Sequence, residues 1–89
     1  MKAVITVVGK DSVGILAKVS SRCSEFNINI SEVTQSVLSD MFCMIMICEI
    51  DGIKGDFGDF ADNMKEMGKE MGMSIHVMHE DIFNSMHSI

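Results

Sequence analysis

The chain has 89 residues, ten of them methionine, with no proline, tryptophan or tyrosine, and 47% hydrophobic composition. That describes one domain, too apolar to be disordered, whose thin core gains from burial against a second subunit. The formal net charge is −6, and the seven basic side chains are scattered, which argues against a nucleic-acid partner.

Lys2 to Val8 predicts a strand apolar on both faces, with Ala3, Ile5 and Val7 on one and Val4, Thr6 and Val8 on the other. Such a strand belongs in a sheet interior. After the stretch GKDSVG the period changes, and Ile15, Leu16, Val19, Cys23 and Phe26 fall on one helical stripe. Ser12, with Asp11 beside it, suits the cap of that helix, which should end near Asn27. Asn27 to Leu38 predicts a second strand whose polar side chains suit a sheet edge. Its apolar phase slips by one residue between Ile28 and Ile30 and the later pair Val33 and Val37. That slip predicts a β-bulge at Ser31 and Glu32. Ser39 and Asp40 turn the chain into Met41 to Ile50, almost continuously apolar, a second interior strand completing a hairpin.

Past the loop at Asp51 to Gly55, Asp56 caps a second helix carrying Phe57, Phe60, Ala61, Met64, Met67 and Met71 at helical spacing. Gly72 is placed to close it. Met73 to Glu80 predicts a fourth strand with Met73, Ile75, Val77 and His79 on one face. Ile82, Phe83, Met86 and Ile89 then mark a short amphipathic helix that docks on the domain or on a neighbour. The domain is expected to span residues 1–80 and the helical tail 81–89. The order βαββαβ with two right-handed crossovers predicts an α+β, ferredoxin-like sandwich. Its four-stranded antiparallel sheet takes the order 4-1-3-2, with two helices on one face.

The chemistry offered by these residues is modest. The Gly-rich loop before the first helix places the N–H groups of Val13, Gly14 and Ile15 where a carboxylate would be held, and Asp11 where an ammonium would be accepted. Ordinary capping explains the same residues, and the spacing is not that of a phosphate-binding Walker loop. His76 and His79 are three apart on a strand and so face opposite sides, which forbids shared metal ligation. Ser12, Ser20, Ser21 and the cysteines have no base near them in sequence. Cys43 and Cys48 are five apart on one strand and point to opposite faces, so they do not bridge. Unbridged thiols fit a reducing cytoplasm. The apolar run before Gly9 is too short for a secretory leader, and no segment is long enough to span a membrane.

The stretch VVGKDSVGILAKVSSRCSEFNINISEV resembles the opening of an ACT domain, through Asp11, Gly14, Ile15, Leu16, Asn29 and Ile30. The tail HEDIFNSMH is similar to that of stand-alone single-ACT proteins related to the repressor of the glycine cleavage system. Where many ACT domains have proline before the motif glycine, this chain has Val13. The resemblance implies a cytoplasmic, non-enzymatic regulatory module in metabolism or transcription, without cofactor or metal. It implies a homodimer through the second strand, with a small amino acid bound at the interface. The ligand residues would be Asp11, Ser12, Val13, Gly14 and Ile15 of one subunit, with Asn29 and Ile30 of the other. An enzyme or regulator would be the controlled partner, and neither nucleic acid nor membrane is expected. A second reading is an interaction subunit without ligand. A third is a small acylphosphatase-like or metal-dependent enzyme. Acylphosphatases hold phosphate with an arginine in the first loop, where this chain has Lys10, its one arginine being Arg22 in the helix.

Overall fold

The computed structural model describes residues 1–10 and 13–86. Four strands and three helices follow in the order β1 (Lys2–Lys10), α1 (Ile15–Glu25), β2 (Asn29–Leu38), β3 (Met41–Glu49), α2 (Phe57–Met71), β4 (Met73–His79) and α3 (Glu80–Met86). The strands make one antiparallel sheet in the order β2-β3-β1-β4. This is the ferredoxin-like sandwich and the strand order expected from the periodicity.

The inner positions follow directly from the patterns. Ala3, Ile5 and Val7 of β1, Phe42, Met44, Met46 and Cys48 of β3, and Met73 and Ile75 of β4 are buried on one face of the sheet. Ile15, Val19 and Cys23 of α1 and Phe60, Met64 and Met67 of α2 close over them. Phe26, at the end of α1, meets Phe60 edge-on with ring centroids 5.1 Å apart, a favoured aromatic geometry. Leu16, on the predicted stripe of α1, is instead exposed at its margin.

The bulge in β2 is present. Ile30 pairs with Cys48, Glu32 with Ile47 and Val33 with Met46, so Ser31 is the extra residue. The insertion restores the apolar phase. Ile30, Val33 and Val37 all stand across from inward-facing residues of β3, namely Cys48, Met46 and Phe42.

Helix α2 ends as its sequence predicts, with Gly72 in the left-handed region at φ 71°. Helix α1 starts later than expected. Ile15 is its first residue and Gly14, at φ 81°, takes the N-cap position two residues beyond Ser12. A positive φ suits glycine and disfavours the capping side chains. Ser12 and Asp11 lie outside the described residues, as does Ile89 of the tail. α3 contacts β1 and β4. Val4, on the sheet face away from α1 and α2, is only 1% exposed.

Helix α2 lies close on β4 at Gly68, where an added Cβ would stand 2.8 Å from the Met73 carbonyl oxygen and 2.9 Å from Ile75 Cγ1. Helix propensity alone favours alanine over glycine by about 1 kcal/mol. We expect the reverse for Gly68→Ala, a net loss of about 1–3 kcal/mol from overpacking against backbone. Urea denaturation of the two proteins reads the sign.

Candidate functional site

The predicted site residues fall into two groups, at opposite ends of the sheet. The first group follows β1. Val13 is fully exposed and Gly14 is open, with nothing within 4 Å of an added Cβ. The first helical hydrogen bond runs from the Lys18 N–H to the Gly14 carbonyl, 3.1 Å. Glycine has no side chain to satisfy the first-turn N–H groups, so the donors at this end are those of Ile15, Leu16 and Ala17. They sit further along the chain than the Val13 to Ile15 set that the sequence suggests. The Ile15 side chain is buried in the core and leaves only its backbone for a ligand. Asp11 and Ser12, the other predicted members, lie outside the described residues.

The second group is built by the end of α1. The Asn27 N–H donates to the Ser24 carbonyl at 3.0 Å and the Ile28 N–H to the Cys23 carbonyl at 2.9 Å. With Asn27 at φ 58°, this is the paired-bond Schellman ending, asparagine standing where glycine is commonest. The Asn27 amide nitrogen donates to the Gly52 carbonyl at 2.8 Å, and the Lys54 N–H to the Phe26 carbonyl at 2.8 Å. The turn into β2 is thereby tied to the β3–α2 loop. A shallow hollow of about 410 Å³ opens here, lined by Ser24, Asn27, Ile28, Asn29 and Ile30. Asn29 is exposed, while Ile30 packs partly on the core. Glu49 stands directly across from Asn29 on β3, and Lys2 across from Glu49 on β1. Glu49 was not singled out from the sequence. Its signal was available, because it is the one charge in the apolar run Met41 to Ile50.

Register separates the two groups. Asn29 shares its end of the sheet with Lys2, whereas the β1–α1 loop follows Lys10 at the other end. Eight residue steps of β1 amount to about 27 Å. One chain does not bring Gly14 and Asn29 together. β2, however, is an edge strand, and from Ser31 to Leu38 every residue is exposed, including Val37 at 54% and Leu38 at 67%.

The family model for the ACT domain matches residues 2–78. The chain belongs to the ACT domain family. A UPF0237 protein of Listeria innocua is 43% identical over 89 residues, all of both chains. Among solved structures, an ACT domain protein from Streptococcus pneumoniae matches with a TM-score of 0.81 and 37% identity over 93% of each chain. A putative glycine cleavage system transcriptional repressor matches in fold alone, with a TM-score of 0.67 and 19% identity over 85% of this chain and 43% of that one. ACT domains are small regulatory ligand-binding modules, and the family points to regulation more than to catalysis.

The remaining reactive side chains of this ACT domain are dispersed. His79 lies on the inner face against Phe57, ring centroids 4.3 Å apart, and His76 on the opposite face with Nε2 3.1 Å from Ser74 Oγ. Among the described residues no group of three His, Cys, Asp or Glu side chains converges on one point, and no helix is long and apolar enough to cross a membrane. All three cysteines are unbridged. Cys23 and Cys48 are buried between α1 and β3, and the hydrogen bond with Cys23, then burial, pushes the Cys48 thiol up. Cys43 points to the other face and is half-buried. The thiolate is the reacting species, so native-state alkylation by iodoacetamide at pH 8 should modify Cys43 roughly tenfold or more faster than Cys48. Peptide mass mapping of a time course checks the order.

Proposed function

We propose that this ACT domain is a regulatory module that binds a small amino acid between two copies joined at their β2 edges. One observation carries the reading. The two halves of the predicted site lie at opposite ends of the sheet in a single chain, and the outer edge of the intervening strand β2 pairs with no strand among the described residues. Antiparallel pairing of two β2 edges reverses one sheet against the other. Asn29 of each copy then lies at the end that carries the partner's β1–α1 loop. Pairing also covers the open N–H and C=O groups of the edge and the exposed Val33, Val37 and Leu38.

In this arrangement each group meets a ligand atom of opposite character. The N–H groups of the first turn of α1, at the positive end of the helix, take the carboxylate. The Asn29 amide bonds the carboxylate or side chain from the other subunit, and Glu49 beside it offers a carboxylate to the ammonium. Because the ligand touches both subunits, it stabilises the dimer over the monomer, and only by the difference in its affinity for the two.

Thermal melts with each of the twenty amino acids at millimolar concentration test the proposal. A ligand at 100 times its Kd adds about 2.7 kcal/mol, and each kcal/mol moves the Tm of a domain this size by roughly 4–8 °C. We expect a rise of about 10 °C or more for one or two amino acids, lost in Asn29→Ala, with sedimentation showing a dimer. A flat panel on folded, dimeric protein overturns the ligand and favours an interaction subunit whose exposed β2 residues meet another protein.

A further inference from the structure

The sheet face away from α1 and α2 is incompletely covered. α3 runs over it and leaves a groove of about 550 Å³, whose apolar wall includes Val8, Ile45, Met78, Phe83 and Met86. That volume lies within the ~300–1,000 Å³ range of small-molecule pockets, which are mostly apolar with a few placed polar groups. Here the polar side chains are Thr6, Cys43 and His76. A second hollow of about 360 Å³, lined by Lys65, Lys69, Gly72 and Ser74 among others, shares Val8 and His76 with the groove. The groove therefore opens at one end beside two lysines and a histidine, on a chain whose net charge is −6. Lys69 lies 3.7 Å from Glu66, and both side chains are about two-thirds exposed. A contact so exposed is weak and yields readily to another anion.

We propose that the groove beneath α3 binds a free, single-chain amphipathic acid. The hydrocarbon chain lies along Val8, Ile45 and Met78 under Phe83 and Met86, and the carboxylate reaches the hollow of Lys65, Lys69 and His76. Met78 and Met86 adapt the groove to the chain, since the thioether side chain is flexible and polarisable. The apolar wall selects the chain and the cationic end selects its charge. This site lies beside β4, the sheet edge opposite β2, and does not depend on the amino-acid reading.

The test uses the full chain with ¹³C-labelled methionine methyl groups, titrated with monomeric decanoate and followed by NMR. We expect saturable shifts at Met78 and Met86, and none at Met46 or Met64, which are buried on the other side of the sheet. Octanoate should bind about 15-fold more weakly than decanoate, from a loss of about fourfold per methylene. Decylammonium and the double variant Lys65→Glu/Lys69→Glu with decanoate should each bind at least roughly tenfold more weakly, from loss of the cationic end. Both lysines are on the exposed side of α2, so the variant keeps the fold, and unshifted Met46 and Met64 signals verify it. No saturable shift, equal binding of decanoate and decylammonium, or response only to anionic phospholipid vesicles overturns the proposal. So do Met78 and Met86 shifts that follow protein concentration without decanoate, which would mean that a second copy fills the groove.

Discussion

The burial of β1, along its inner face and at Val4 on its outer one, is the constraint from which the rest of the structure follows. Its two edges are hydrogen-bonded to β3 and β4, and its inner face is sealed by α1 and α2. Its outer face begins with Val4, which is as buried as the core. A sheet with two helices on one side leaves such a residue in water. α3 contacts β1, the strand that carries Val4, as well as β4. Seven residues of helix are too few to shield a whole sheet face, however. At 1.5 Å per residue α3 spans about 10 Å. Cover is complete over Val4 and fails toward Val8 and Ile45, both 40% exposed.

A chain of this size has more apolar surface than it can enclose, and the excess is not spread evenly. Much of it gathers in two places: the edge strand β2, with Val33, Val37 and Leu38, and the open sheet face, with Val8, Met41 and Ile45. Scattered exposed apolar residues are ordinary, but these are grouped on regular structure. Each group sits beside polar features of a particular kind. Beside β2 these are backbone donors and an amide, and beside the open face they are lysines and a histidine.

Periodicity made the fold legible. Two strands apolar on both faces had to be interior, one polar strand had to be an edge, and crossover chirality then left one strand order. Even the bulge was visible, because the apolar residues along one face of a strand cannot change phase without an inserted residue. Capping was less legible. Ser12 is the better N-cap residue by propensity, yet α1 begins after Gly14 because the chain enters it through a left-handed turn. Propensity ranks side chains and does not see the path of the backbone. The groove was not legible at all. Alternation says which residues share a face, but not whether a helix outside the alternating segments will lie over part of it. Thr6, Cys43 and His76 come from three strands and meet only through register. The proposed amino-acid site was legible as two motifs, Asp11 to Ile15 and Asn29 to Ile30, but their separation became apparent only from the pairing of Asn29, Glu49 and Lys2.

The bulge at Ser31 links the core to the edge. Without it, Val33 and Val37 would exchange faces with Glu32, Thr34 and Ser36, since every side chain beyond a one-residue slip changes sides. The inserted residue keeps the two valines aligned with Met46 and Phe42 while leaving Asn29 and Ile30 paired with Glu49 and Cys48. It also bends and twists the strand locally, just past Asn29, and so limits the length over which a second β2 can lie flat against this one. Eight residues, Ser31 to Leu38, remain on the exposed side of that bend. Two copies pairing over this stretch would be stopped at each end by the partner's bulge, and such a stop fixes register in a way that a smooth edge does not. In the proposed dimer, the same residue that corrects the apolar phase of β2 would set how closely Asn29 of one subunit approaches the first loop of the other.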